Sequence, residues 1–129
     1  MAERFSDAAL GWVTNTAETP VTGRLATAEV GSAISRLRRM GRLNDTDARA
    51  ALSAIDLWFA HAVAIVEHRP EDFRLAAMLV RQPDPKLLSP DALHLATSQR
   101  LGTTMVTFDE GLVFAAKSRD FACVSPQGR

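Results

Sequence analysis

Apolar residues recur at helical spacing along most of this chain, interrupted by short continuous apolar runs. Phe5, Ala8, Ala9 and Trp12 predict a short helix over residues 4–14. Thr19-Pro20-Val21-Thr22-Gly23 breaks it, with room for a very short strand. Ala26, Val30, Ala33, Ile34, Leu37 and Met40 form the stripe of a second helix, which Gly41 ends. Asn44, Asp45 and Thr46 offer capping oxygens to a third, whose stripe is Ala48, Ala51, Leu52, Ile55, Trp58, Phe59 and Ala62. The run Val63–Val66 reads as a buried strand. Pro70 suits a first helical turn, Phe73, Ala76, Ala77 and Val80 continue that helix, and Gln82-Pro83-Asp84-Pro85 stops it. Ser89-Pro90-Asp91 reads as a helix start with Ser89 as the cap, and Gly102 closes the helix. Residues 104–108 predict a strand, 111–117 a helix and 121–124 a last strand. Such alternation predicts α/β with a mainly parallel sheet, although the series opens on a helix.

A length of 129 residues suits one domain spanning residues 1–129. Acidic and basic residues balance at 15 each, so any contact with nucleic acid has to come from a local patch. Cys123 is the lone cysteine, which excludes an internal disulfide and a cysteine-rich zinc site. The first residues, with Glu3, Arg4 and Asp7, do not read as a signal peptide, and no stretch nears the roughly 18 to 20 apolar residues of a membrane span. A reducing, cytoplasmic setting is expected.

Three carboxylates stand out by position. Glu29 lies at the margin of the second helix's stripe, Asp91 in the first turn of a helix, and Asp109 directly after a strand. In α/β sheets the carboxyl ends of strands border the ligand crevice. Gathered carboxylates repel unless they share a cation; Mg²⁺ or Mn²⁺ takes such hard oxygens and also clamps phosphate. Each acid also has a plain structural reading, Asp91 as a first-turn helix acid and Asp109 as a strand-to-helix cap. Spacing alone does not choose between the two.

Ser89-Pro90-Asp91-Ala92-Leu93-His94-Leu95-Ala96 resembles the Asp-Ala-Leu-His-Leu-Ala signature of PIN domains, especially VapC toxins. Leu101–Asp109 resembles the family's following strand with its Thr-x-Asp ending, and Ala115-Ala116 and Cys123-Val124-Ser125-Pro126 extend the likeness. Arg24–Val30 with Ala33 and Arg36 is similar to the family's Glu-bearing helix. The resemblance implies a PIN-like, Rossmann-like three-layer α/β/α fold. It also implies a Mg²⁺- or Mn²⁺-dependent ribonuclease, a toxin of the type II toxin–antitoxin class, dimeric and inhibited by a VapB-like antitoxin. By the same resemblance Glu29, Asp91 and Asp109 are the catalytic and metal-holding acids, with Thr107 in support.

The family's opening strand, central in the sheet and ending in an Asp, has no counterpart before Phe5; Asp7 falls inside the first helix and is no substitute. The expectation is that the natural reading frame starts upstream, where an in-frame apolar run ending in Asp would be encoded. The alternative is a degenerate, non-catalytic PIN remnant that binds antitoxin or itself; an unrelated α/β binding module is a third reading. Arg24, Arg36 and Arg39, with Arg38 and Arg42, form either a solvated face or a phosphate contact for RNA. His94 reads as structural support near Asp91, whereas His61 and His68 read as peripheral. Trp12, Trp58 and Phe59 read as core or interface, and Cys123 as a small buried apolar residue.

Overall fold

The structure, a computed structural model, describes residues 20–126. The helix expected over residues 4–14 and Trp12 lie outside the described residues. Two compact units divide the rest, residues 20–67 and 68–126.

In the first unit, β1 (Val21–Gly23) leads into α1 (Arg24–Arg39), then α2 (Asp45–His61) and β2 (Ala64–Val66). β1 and β2 pair in parallel, with Val21 opposite Ala64 and Gly23 opposite Val66. Parallel strands need a long crossover, and here two helices provide it. The apolar stripe of α1 buries Ile34 and leaves Ala33 exposed, so the buried face is narrower than the spacing suggests. Gly41, at φ +73°, ends α1: its N–H reaches Arg38 O at 3.0 Å and the next N–H, of Arg42, reaches Leu37 O at 2.9 Å. These are the two bonds of a Schellman ending. Asn44 caps α2 by accepting the Asp47 N–H at 2.7 Å. Trp58 and Phe59 meet edge to face with ring centroids 5.4 Å apart.

The second unit runs α3 (Pro70–Leu79), α4 (Ser89–Leu101), β3 (Met105–Val106), α5 (Glu110–Lys117) and β4 (Cys123–Val124). β3 and β4 are parallel, Met105 opposite Cys123 and Val106 opposite Val124. Its core holds Ala76, Leu79, Ala92, Leu95, Ala115 and Cys123, all under a tenth exposed. The strands are shorter than the sequence suggests, and both trims have a cause. Phe121 gives its N–H to Ala116 O at 2.9 Å, which commits it to closing α5 rather than to β4. After Val106 the Thr107 side chain accepts the Asp109 N–H and turns the chain toward α5.

Among the described residues the strands form two pairs, not one continuous sheet. The helix start expected at Ser89 also shifts: Leu88 holds the cap position with no side-chain bond, and Ser89 is already helical.

Asp120 closes α5 at φ +62°, a conformation that suits glycine best, although Asp adopts it more readily than most side chains. Asp120→Gly is expected to raise stability by about 1 kcal/mol in denaturant unfolding. Burial pushes the Cys123 thiol pKa up, with Lys117 pulling weakly the other way. In the folded protein at pH 8, thiol reagents are therefore expected to label Cys123 only after denaturant is added.

Candidate functional site

Asp109 occupies the hinge between β3 and α5. Thr107 first gives its N–H to Val124 O at 3.0 Å, then its Oγ1 accepts the Asp109 N–H at 3.1 Å. Asp109 in turn caps α5, its Oδ1 accepting the Leu112 N–H at 3.0 Å. A Cβ on Gly111 would come within 3.2 Å of that oxygen, so the small residue keeps the cap unobstructed. The carboxylate is thus held on one side by Oδ1 and remains exposed to solvent. The capping role weighed from the sequence is present, and Thr107 is the residue that aims it.

Asp91 sits half-buried in the first turn of α4. Pro90 lacks an N–H, and the Ala92 N–H is bonded back to Leu88 O at 2.9 Å. An acid in this turn is favoured by the helix dipole. From Asp91, polar side chains recur every third residue along α4: Asp91, His94, Thr97 and Arg100. They interrupt a helix that otherwise buries Ala92, Leu93, Leu95 and Ala96.

The stripe ends on a group that sequence reasoning missed. Asp72, in the first turn of α3, is 2% exposed. Arg100 Nε lies 2.9 Å from its Oδ1, and Arg100 Nη2 lies 3.0 Å from its Oδ2. Oδ2 also accepts the Arg69 N–H at 2.9 Å and the Thr97 hydroxyl at 2.9 Å. Burial pushes the Asp72 carboxyl pKa up, but the bonds from Arg100, Arg69 and Thr97 and the charge of Arg100 outweigh it. The net result lies below the ordinary carboxylate value. His68, read as peripheral from the sequence, belongs to the same network: its Nδ1 lies 2.7 Å from Thr97 Oγ1. Its ring also packs edge-on against His94 at 5.6 Å and Phe73 at 6.3 Å between centroids. The only signal available in the sequence was Arg100, a charge on the i+3 ladder of a helix that is otherwise core.

Glu29 lies half-buried within α1, in the other unit. The structure thus places Asp91 and Asp109 in residues 68–126 and Glu29 in residues 20–67. Among the described residues no three His, Cys, Asp or Glu side chains form a group that could hold a metal ion. Of the arginines, Arg24 is tied to Glu67 at 2.6 Å, an exposed pair that solvent screens. Arg38 pairs with Asp45, Arg39 donates to Ser35 Oγ at 2.9 Å, and Arg36 is exposed in the last turn of α1. Cations in that turn suit the negative end of the helix.

The sequence pattern of the PIN domain matches residues 2–118. This chain belongs to the PIN-domain family. Among curated PIN relatives it is similar to Ribonuclease VapC35 of Mycobacterium tuberculosis, strains CDC 1551 and H37Rv. It is 33% identical to each over 93 residues, covering 65% of this chain and 69% of theirs. The solved structure of FitAB bound to an IR36 DNA fragment aligns with a TM-score of 0.70 at 18% identity, over 95% of this chain and 84% of that one. That likeness is one of fold. The short parallel strands with helical crossovers agree with the PIN-like α/β class expected from the sequence. No helix among the described residues is long and apolar enough to cross a membrane.

Asp72→Asn removes the charge that the Arg100, Arg69 and Thr97 donors converge on and leaves a buried amide with mismatched partners, so it is expected to cost about 2 kcal/mol at pH 7. The sign with pH follows from the depressed folded-state pKa of Asp72. Its contribution is complete above the unfolded carboxylate value of about 4 and is lost as pH falls through the lower folded value. Urea unfolding from pH 7 down to pH 2 is expected to show the gap between wild type and Asp72→Asn narrowing only below about pH 4.

Proposed function

We propose that this PIN domain is a VapC-type toxin of a type II toxin–antitoxin system. It is a Mg²⁺- or Mn²⁺-dependent endoribonuclease that hydrolyses RNA phosphodiester bonds. It works in the cytoplasm as a homodimer under the control of a VapB-like antitoxin. The observation that carries the reading is the 33% identity to Ribonuclease VapC35 within a family match that spans residues 2–118.

The donor chemistry of the chosen acids suits a hard divalent ion: Glu29, Asp91 and Asp109 supply carboxylate oxygens only. These three would hold the ion, together with a fourth acid of the kind that ends the family's opening strand. When bound, such an ion lowers the pKa of a water and stabilises the oxygen that leaves phosphorus. The chain's own residues have simpler tasks. Thr107 holds the Asp109 backbone, and the cap to Leu112 restrains its carboxylate to one rotamer. Asp91 stands in the first turn of α4, where the helix dipole favours an acid. Arg36 and Arg39, and Arg24 once released from Glu67, are the side chains suited to bind RNA phosphates.

The test is cleavage of single-stranded RNA by the purified chain with Mg²⁺ or Mn²⁺ and with EDTA. Cleavage is expected only with metal. Asp91→Ala and Asp109→Ala are each expected to slow it more than about 100-fold, the upper range for losing even an outer partner of a metal ligand. Glu29→Gln is expected to do the same. Cleavage that is indifferent to metal and to all three substitutions contradicts the proposal. A chain that binds antitoxin but never cleaves RNA favours the non-catalytic remnant instead.

A further inference from the structure

The hydrogen bonds around Thr97 can each be given a direction. Asp72 is ionised at neutral pH and accepts only, so the single hydroxyl proton of Thr97 goes to Asp72 Oδ2, 2.9 Å away. Thr97 Oγ1 then has only lone pairs to offer His68 Nδ1, 2.7 Å away, and Nδ1 must carry the hydrogen. In neutral imidazole this makes Nε2 the accepting nitrogen, the tautomer opposite to the one that a free histidine side chain favours. The ring so fixed reaches from Thr97 back one turn of α4 to His94, toward the turn that carries Asp91.

We propose that Asp72 and Thr97 are positioning residues that act through His68, locking its ring as the Nδ1–H tautomer against His94 and thereby holding the Asp91 turn of α4 in register for catalysis. The catalytic half of this inference rests on the nuclease reading above; the tautomer half does not. Three features separate the relay from ordinary core packing. The carboxylate is buried and bonded through both oxygens, Thr97 is 3% exposed, and the imidazole is held by Thr97 at Nδ1 and by His94 along its ring. Support of this kind for metal-holding residues changes affinity or rate by about 10- to 100-fold when it is removed.

The test uses the whole chain, with ¹⁵N-labelled imidazoles observed by NMR at pH 8.5, and three variants. Wild-type His68 is expected to show the Nδ1–H pattern. Thr97→Val, which keeps the shape but has no hydroxyl, is expected to show the Nε2–H pattern, and Thr97→Ser to keep that of the wild type. In RNA cleavage, Thr97→Val is expected to lower kcat about 10-fold or more with KM unchanged, and Thr97→Ser to restore it. A wild-type His68 in the Nε2–H form overturns the proposal without recourse to any variant. So does a Thr97→Val protein whose tautomer changes while kcat does not, or one whose loss Thr97→Ser fails to rescue. Asp91→Ala keeps the two readings apart. If it cleaves like wild type, the nuclease reading fails, and the catalytic half of this one with it. If it is inactive while Thr97→Val runs at full rate, only the relay is wrong.

Discussion

The carboxylate of Asp72, taken out of water and answered by Arg100, is the constraint around which residues 68–126 are arranged. A buried charge on its own is prohibitive, so α3 and α4 must meet where the guanidinium can reach both oxygens. Two apolar faces alone could slide past each other at little cost. The ion pair, the Arg69 N–H and the Thr97 hydroxyl permit one register. Because Asp91 and His94 lie on the same helix as Arg100 and Thr97, that register also decides where they stand. A hydrophobic pair in place of Asp72 and Arg100 could match or exceed the stability. What the charged pair adds is specificity of placement.

Much of this architecture could be read from the chain. The helices announced themselves through their stripes and end signals: Gly41 and Gly102 take the positive φ that their helix endings require, and Asn44 makes the cap its side chain promised. Strand lengths were less legible, because pairing depends on a partner far along the chain. Only Met105 and Val106 of the stretch 104–108 pair with Cys123 and Val124; Thr107 still gives its N–H to Val124 O, but its side chain turns the chain toward α5, and Phe121 is diverted into a local bond. Ser89 shows the same weakness at single-residue scale: as a residue type it suits a cap, yet the helix starts one residue earlier than that role allows.

Site residues divide along similar lines. Asp91 and Asp109 lie where local pattern put them, in a first helical turn and after a strand. Asp109 shows that the structural and the functional reading need not compete, since the cap to Leu112 uses Oδ1 alone. Asp72 and His68 could not be found by local pattern. Asp72 looks like any first-turn acid, and its partners lie 25 and 28 residues away on another helix. Arg24, weighed from the sequence as a phosphate contact, is paired with Glu67, a partner 43 residues away that spacing could not show.

The proposed function requires that Glu29, Asp91 and Asp109 take up a divalent ion. Mn²⁺ broadens NMR signals only close to where it binds, so a titration followed residue by residue addresses that claim without any RNA. The account predicts that amide signals around residues 29, 91 and 109 vanish together at one substoichiometric Mn²⁺ concentration, and that added Mg²⁺ restores all three. Broadening confined to one of these segments, or centred on other acids, would contradict it.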